Sequence, residues 1–351
     1  MSIDIVRATG GPRERGRAVG SVLAEPIGRS LDFYRGFLER RGVTMDALPA
    51  MLAPYRTSAE RALPDLVLEI DGMAEGAGVQ AWELFAPNAW EELEPQMELA
   101  AAPDRCTAFA ASGPGGTVLG HNEQWYAGDA GNVAVTVQRP EAETAFASPS
   151  VVTCLPAVGI NAAGMAQGVM SLSADDDGEG IPRVPVSRHA LTAVDLDDSV
   201  RRATGAGKSG GYAYVLASAG GGTRILETAA SDHAVLPGPG GHTNHYLDPR
   251  LAARGDTSAG SRSRLSRLQE LLQQHRPEEP EEVMEILRDH VGEPQAICLH
   301  PDPAEGDEAT AVLFSMVCHL ETRRMWVAVG NPCESPYEEI DLPELLREEP
   351  A

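Results

Sequence analysis

Lysine is almost missing from this sequence. Lys208 is the only lysine among 351 residues, although lysine and arginine together number 28. Catalysis through a lysine Schiff base or a lysine nucleophile could therefore occur only at that position. Glycine and serine flank it, a composition typical of loops. Lysine-based chemistry is for this reason a poor hypothesis.

Paired cysteines, long apolar runs and excess positive charge are also lacking. The five cysteines are an odd number without a CxxC spacing, which disfavours a disulfide framework and a zinc ribbon. No run of 18 apolar residues occurs, and Met1–Arg7 has no signal-peptide core, so we expect a soluble, cytoplasmic protein. Aspartate and glutamate number 52, and the formal net charge is −24. A charge of that sign disfavours nucleic acid and membranes as partners.

The remaining composition is that of a globular protein, with 42% hydrophobic and 23% charged residues. From Pro12 to Glu94, apolar residues recur at helical spacing and predict four or five helices. Short apolar runs then predict strands at Cys106–Ala111, Thr117–Asn122, Asn132–Arg139, Val151–Leu155, Gly164–Leu172, Tyr212–Ala217, Thr223–Thr228, Thr310–Cys318 and Arg324–Val329. Two late helices are predicted at Ser261–Gln274 and Glu279–Asp289. Helices followed by many strands indicate an α+β protein in layers.

Cys106 stands where the helical pattern changes to the strand pattern. By itself, a cysteine in the middle of a chain is most often a small buried apolar residue. Its context is more informative, because several polar and glycine-containing segments follow it in a defined order. They are Gly120–Trp125, Gly159–Met165, His242–Tyr246 and Gly330–Pro332.

Together with Gly11–Gly16, Glu69–Gly78, Asn88 and Glu92, these segments resemble the acyl-coenzyme A:6-aminopenicillanic acid acyltransferase family. Members of that family are N-terminal-nucleophile hydrolases. The resemblance spans nearly the whole chain. It implies a four-layer αββα sandwich, made as an inactive precursor (a zymogen) that cuts its own backbone before the nucleophilic cysteine.

By position the nucleophile is Cys106, and the implied cut falls between Arg105 and Cys106. Residues 1–105 would be a helical segment and residues 106–351 a strand-rich catalytic segment, both staying together in one compact domain. A thiol can attack the preceding carbonyl and form a thioester that water releases. The freed α-amine has a pKa near ~8 and can act as the base for its own thiol.

The resemblance also implies that Asn244 donates a hydrogen bond to the oxyanion of the tetrahedral intermediate. The alternative for Asn244 is a turn residue at a strand end. His242, His245 and Asp248 could suggest a metal site, but residues three apart on a strand point to opposite faces, so we expect no metal. We expect Thr107, Asn122, Gln124, Trp125, His245 and Leu299 to support the site or line its pocket.

Two positions depart from the family pattern. Gln124 stands where the family has aspartate, and Leu299 follows the Ile297–Cys298 pair where the family has arginine. Both departures concern residues associated with self-cleavage, so an unprocessed, catalytically silent binding protein or scaffold remains the alternative. Ser261 and Arg264 match a Ser-x-x-Arg of the family, or they are an N-cap and a surface arginine.

Asp175–Glu179 is an acidic run that is either a solvated loop or a rim attracting a cationic amine. The prediction as a whole is a self-processing cysteine hydrolase or acyltransferase. It would act on a small-molecule amide, amine or acyl thioester and need no cofactor. An acyl-coenzyme A or another acyl donor could be a substrate. Water and an amine remain open as acyl acceptors.

Overall fold

The structure is a computed structural model that describes residues 3–97, 105–255 and 258–347. Its α-helices are α1 (Pro12–Val22), α2 (Ala24–Arg40), α3 (Leu48–Ala62), α4 (Pro64–Ala77), α5 (Ala81–Phe85), α6 (Trp90–Leu93), α7 (Arg183–Leu191), α8 (Leu196–Ala203), α9 (Pro249–Ala252), α10 (Ala259–His275), α11 (Pro280–Leu287) and α12 (Leu342–Arg347). Short 3-10 helices lie at Pro87–Ala89, Glu94–Met97, Ala127–Asp129 and Gly306–Glu308.

The strands are β1 (Ile5–Gly10), β2 (Thr107–Gly113), β3 (Gly116–Tyr126), β4 (Val133–Pro140), β5 (Phe146–Val151), β6 (Gly159–Asn161), β7 (Met165–Leu172), β8 (Gly211–Ser218), β9 (Gly222–Thr228), β10 (His233–Pro237), β11 (Gly240–His242), β12 (Thr310–His319), β13 (Arg324–Val329) and β14 (Glu338–Asp341). They form an eight-stranded sheet in the order β1-β4-β5-β6-β7-β8-β9-β10 and a six-stranded sheet in the order β11-β2-β3-β12-β13-β14. We call these the first and the second sheet.

The two sheets stack face to face, since β2 and β3 contact β7 and β8. Helices α1, α7 and α8 contact the first sheet, and α10 and α11 contact the second. The order of layers is therefore helix, sheet, sheet, helix. The α+β class and the four-layer sandwich predicted from the sequence are confirmed.

Strand alternation divides the apolar residues among the layers. Ala108 and Ala110 of β2 belong to the core between the two sheets, whereas Phe109 packs against Leu268 of α10 and Val283 of α11. Successive residues of a strand point to opposite faces, so small residues face the other sheet and a large one fills the helix side. The space beside Cys106 is therefore bounded by both sheets.

Two glycine-containing segments noted in the sequence have a packing role. A Cβ atom on Gly16 of α1 would lie 2.0 Å from the carbonyl oxygen of Glu69 in α4. One on Gly72 would lie 2.2 Å from the carbonyl oxygen of Arg13. Only glycine permits such contact between the two helix backbones.

The end of α10 nearest the site is set by a side-chain cap. The Oγ atom of Ser258 accepts a hydrogen bond of 2.9 Å from the backbone N–H of Ser261. Serine is among the preferred N-cap residues, because its oxygen satisfies a backbone donor of the first turn. This cap orients the first two turns of α10, which carry Ser261 and Arg264.

Several sequence predictions were wrong in detail. The residues predicted as a strand at Val151–Leu155 are mostly a turn, and the strand is β5, whose Ser148, Pro149 and Ser150 hide its β pattern. Strand β1 precedes the first helix and pairs with β4 in parallel. Helices α7 and α8 interrupt the strands earlier than predicted, because buried Arg183 and Arg188 disturb the apolar period of α7. No helix within the described ranges has the length and apolar character needed to cross a membrane.

Candidate active site

Cys106 lies immediately before β2, with its side chain between the two sheets. The residue is 3% exposed. Its Sγ atom lies 3.3 Å from Oε1 of Glu123 and 3.9 Å from the carbonyl oxygen of Gln124. The thiol therefore has a carboxylate within hydrogen-bonding reach.

This environment keeps the thiol protonated. Burial raises the pKa of Cys106 well above its ordinary value, and the charge of Glu123 raises it further. The thiolate is the nucleophilic form of cysteine. Attack by Cys106 thus requires a base that takes the proton as the sulfur reacts.

Glu123 is held by a second residue of the same strand face. Nε2 of His121 lies 3.0 Å from Oε2 of Glu123, and His121 is fully buried. Residues two apart on a strand share a face, which explains why both project toward Cys106. The three side chains offer donor atoms within 4.8 Å of one another, so this group could also hold a metal ion. Neither Glu123 nor His121 was predicted to belong to the site, although strand alternation indicates that they share a face.

Arg264 joins the segments around the predicted cut. Its Nη1 atom donates to the carbonyl oxygen of Cys106 at 2.8 Å and to Oγ1 of Thr107 at 3.0 Å. Its Nη2 atom donates to Oδ1 of Asn244 at 3.1 Å. Arg264 is 1% exposed and is therefore not a surface arginine.

Asn244 lies beside the peptide segment that precedes the thiol. Its Oδ1 atom accepts from the backbone N–H of Arg105 at 3.1 Å, and its Nδ2 atom donates to the carbonyl oxygen of Ser171 at 3.1 Å. An amide nitrogen carries two hydrogens, and this bond uses one of them. The carboxamide oxygen of Asn244 therefore faces the backbone N–H of Arg105, and its amide nitrogen faces Ser171.

His245 and Asn244 are linked through the hydroxyl of Ser261. Its Nδ1 atom lies 2.7 Å from Oγ of Ser261, which also accepts from the backbone N–H of Asn244 at 2.8 Å. Burial, with electrostatic repulsion from neighbouring groups that include Arg262 and Arg264, lowers the pKa of His245 to about 4. The ring is therefore neutral at neutral pH. It does not line the pocket described below.

The structure does not bring His242, His245 and Asp248 together as a metal site. His242 is fully buried, and its Nε2 atom lies 2.7 Å from Oε1 of Glu227. The ring centroids of the two histidines are 6.4 Å apart. Asp248 instead caps α9 by accepting from the backbone N–H of Arg250 at 3.0 Å.

Asn122, Gln124 and Leu299 are near the site but outside the pocket. The amide nitrogens of Asn122 and Gln124 each donate to the carbonyl oxygen of Ile297 at 3.0 Å. Both side chains are therefore on the helix side of β3, away from the thiol. Leu299 is buried, and its carbonyl oxygen accepts from the N–H of Val312, the register partner of Gln124.

Arg105 is 1% exposed, and its side chain is surrounded by acidic side chains and aromatic rings. Its guanidinium pairs with Glu94 and lies 3.3 Å from Oε1 of Glu91. The same group stacks 3.9 Å from the centroid of Trp125. These contacts fix the residue on the amino side of the predicted cut.

A pocket opens beside Cys106 between the sheets. Trp125 of the predicted site lines it, together with Glu123 and a mainly apolar wall. That wall includes Trp90, Pro149, Val151, Leu155, Val158, Val169, Tyr212 and Phe314. An apolar pocket with a few polar groups at one end is typical of a small-molecule site.

The acidic run lies after β7, as predicted, but its charges have partners. Arg254 lies 2.8 Å from Asp175 and 3.0 Å from Asp176. Arg183 lies 2.6 Å from Asp177. The two arginines reduce the negative charge that the run presents to a cationic ligand.

Comparison with known proteins identifies a family. The model of the acyl-coenzyme A:6-aminopenicillanic acid acyl-transferase family matches residues 111–334, so Cys106 lies just before the match. Penicillin V acylase from Agrobacterium tumefaciens is 14% identical, covers 68% of this chain and 87% of its own, and has a TM-score of 0.48. A mutant of conjugated bile acid hydrolase from Clostridium perfringens is 11% identical, covers 70% and 93%, and has a TM-score of 0.47. Comparison with curated proteins gives no match.

Proposed function

The chain belongs to the acyl-coenzyme A:6-aminopenicillanic acid acyl-transferase family, and from that premise we propose that it is a self-processing enzyme whose acyl group passes through Cys106. The resemblance to this family seen in the sequence is confirmed. The assignment to amidohydrolases or acyltransferases of the N-terminal-nucleophile type is part of our proposal. The observation that carries the finer proposal is the position of the thiol. Cys106 lies between a carboxylate on one side and the Asn244–Arg264 contacts on the other.

The first reaction is self-cleavage. Glu123 takes the proton of Sγ as the sulfur attacks the carbonyl carbon of Arg105. The second N–H of the Asn244 amide stabilises the oxyanion. The bond between Arg105 and the nitrogen of Cys106 then breaks, the nitrogen gains a proton, and a thioester remains. Water hydrolyses this thioester, which yields the Arg105 carboxylate, a free thiol and a free α-amine.

The second reaction uses the α-amine that self-cleavage releases. With a pKa near ~8, the amine can take the thiol proton close to neutral pH. The sulfur attacks the carbonyl carbon of a bound amide or thioester, and Asn244 again donates to the oxyanion. The leaving amine or thiol departs with a proton, and the acyl group stays on Cys106. Water or an amine then removes it.

The fold supports a cleaved protein whose two fragments stay associated. Strand β1 of the first fragment pairs with β4 of the second along six residues. Arg105 would hold the new chain end in place, since Glu91, Glu94 and Trp125 surround its side chain. Neither set of contacts depends on the Arg105–Cys106 bond.

The alternative is an unprocessed, silent family member, suggested by Gln124 and Leu299. We favour the enzyme, because the Gln124 side chain lies on the helix side of β3 while the thiol and its carboxylate lie on the other side, and Leu299 is absent from the pocket lining. Intact mass separates the two proposals. Fragments of residues 1–105 and 106–351 support the enzyme, and a single 351-residue chain after long incubation supports the silent member.

Hydrolysis and acyl transfer share one acyl-enzyme and differ only in the acceptor. The measurement is the ratio of acid to amide product as an added amine is increased. A ratio that stays constant indicates a hydrolase. A ratio that shifts toward amide indicates a transferase.

A further inference from the structure

Four potential metal ligands from two segments of the chain, residues 290–300 and Cys333, converge away from the pocket. His290 follows α11, Cys298 and His300 lie in the segment that leads to β12, and Cys333 lies in the turn after β13. Each offers one donor atom, and the four atoms lie within 4.8 Å of one another. We call this group the Cys/His cluster.

Four of the six distances between donor atoms are known, and they lie close to the edges of a small tetrahedron. Nε2 of His290 and Nε2 of His300 are 3.1 Å apart, and the two Sγ atoms are 3.7 Å apart. Nε2 of His300 lies 3.3 Å from Sγ of Cys333 and 4.0 Å from Sγ of Cys298. For zinc bonds of about 2.0 to 2.3 Å, a regular tetrahedron has edges of about 3.3 to 3.8 Å.

Groups around the cluster can orient and stabilise the ligands. Nδ2 of Asn331 lies 3.5 Å from Sγ of Cys298, where it can donate to a thiolate, and it also donates to the carbonyl oxygen of Leu299 at 2.9 Å. Oε1 of Glu334 lies 3.9 Å from Nδ1 of His300, the ring nitrogen that would not bind the metal. Carboxylates and amides in such positions commonly support metal ligands.

We propose that His290, Cys298, His300 and Cys333 bind one Zn²⁺ ion as a structural site. Two imidazoles and two thiolates are a standard zinc ligand set, and four protein ligands leave no position for a substrate. Binding releases the two thiol protons to solvent, and the two thiolates balance the charge of the ion. No oxidant or reductant is required.

The ion would tie together two segments that the backbone joins only through β12 and β13. One of these segments contains Ile297, whose carbonyl oxygen accepts from both Asn122 and Gln124. The zinc site would thus hold this segment in position on the helix side of β3. It would take no part in catalysis.

The first experiment measures zinc in the full-length wild-type protein after addition of ZnCl₂ under reducing conditions and removal of unbound metal. We expect one zinc per chain. Replacement by Co²⁺ should give the visible absorption of tetrahedral cobalt and a thiolate-to-cobalt charge-transfer band. Neither readout depends on enzyme activity.

Variants then assign the ligands. Cys333→Ser is the main variant, because this exposed side chain can be changed with little effect on the core. Cys333→Ser and His290→Gln should each weaken zinc affinity by more than about 100-fold, since changes to outer-shell groups alone cost about 10- to 100-fold. Cys154→Ala and His275→Gln are matched controls outside the cluster and should keep one zinc per chain.

Three results would overturn the proposal. One is wild-type protein that retains no zinc or cobalt. Another is full metal content in both Cys333→Ser and His290→Gln. The third is a Cys298–Cys333 disulfide, seen as a mass loss of two hydrogens in protein purified without reductant, if the same protein then binds no zinc after reduction. Thermal unfolding shows whether each variant is folded. A variant that unfolds cooperatively but binds no metal still supports the assignment of its ligand.

Discussion

The two faces of strand β3 differ sharply in their chemistry. The face toward the first sheet carries His121, Glu123 and Trp125. Glu123 contacts Cys106 and is held by His121, and Glu123 and Trp125 line the pocket beside the thiol. The opposite face carries Asn122 and Gln124, two neutral amides that donate to the main-chain oxygen of Ile297. Asn122 and Gln124 are fully buried, whereas Glu123 and Trp125 are partly exposed to the pocket, and only the first face presents an ionisable group to the thiol.

This difference shows how a strand can carry reactive and structural side chains at adjacent positions. Alternate residues point in opposite directions, so Glu123 and Gln124 share no surroundings. A departure from the family pattern at Gln124 therefore changes the layer behind the site and leaves the carboxylate beside Cys106 in place. Variants of the two faces should therefore differ, with large effects on chemistry from one face and effects on stability from the other.

Cys106→Ala should abolish self-cleavage and lower turnover by at least about a thousandfold, because the nucleophile is lost. A denaturing gel and intact mass would show one uncleaved chain. Cys318→Ala removes another fully buried thiol, one in β12, and should still cleave. Fragments from Cys106→Ala would show that another residue starts the reaction.

Glu123→Gln should slow self-cleavage by about 10²- to 10⁴-fold, the range typical of a lost general base. Burial and the Glu123 charge both raise the pKa of Cys106, so removal of that charge lowers the thiol pKa toward its ordinary value. Cleavage by the variant should therefore rise with pH more steeply than cleavage by the wild type. The measurement is the cleavage rate from about pH 6 to about pH 10, a range that spans the ordinary thiol pKa.

Glu141→Gln is the matched control for this prediction, since it changes an exposed glutamate elsewhere. It should cleave at the wild-type rate across the same pH series. A wild-type rate for Glu123→Gln would exclude the carboxylate as the base.

Asn244→Ala should lower kcat by about 10²- to 10³-fold and change KM much less, as expected for a donor that acts mainly in the transition state. The measurement is steady-state kinetics of cleaved protein on an amide substrate. His275→Gln, an exposed change on α10, is a suitable control. An unchanged kcat would limit Asn244 to its contacts with Arg105, Ser171 and Arg264.

The face of β3 toward the helices should affect stability more than chemistry. Leu299→Arg alone should place an uncompensated charge in a buried position, at a cost of about 3–5 kcal/mol. If residues 124 and 299 are close enough to pair, addition of Gln124→Asp should recover about 0.5–3 kcal/mol of that loss. Denaturant unfolding of both single variants and the double variant measures the coupling. Simple additivity would show that the two positions do not interact.

Much of the fold was predictable because the information is local. The helical period between Pro12 and Glu94 and the helical period of α10 are patterns within a few residues, although the N-cap of α10 is Ser258 and not Ser261. Predictions failed where burial involved polar or charged residues. The β pattern of β5 is hidden by Ser148, Pro149 and Ser150, and the helical period of α7 is broken by two buried arginines.

The candidate site was only partly predictable, because some of its residues belong to local segments while others meet only through the pairing of strands. Cys106, Asn244 and Trp125 belong to recognisable segments, and the structure gathers them around the Arg105–Cys106 peptide. Glu123 gave no signal of its own, because a single glutamate in a strand is compatible with many roles. Its relation to Cys106 depends on the register between β2 and β3.

The sequence by itself determined the layered α+β architecture and the family, and it led to the proposal of Cys106 as the nucleophile, because periodicity and the order of segments can be read from the sequence alone. Only the tertiary structure decided which side chains meet. Glu123 reaches Cys106 across two paired strands, Arg264 reaches both Cys106 and Asn244 from α10, and the Cys/His cluster assembles from segments on both sides of β12 and β13. Contacts of this kind depend on how whole elements dock, and residue spacing along the chain does not record the distance between elements.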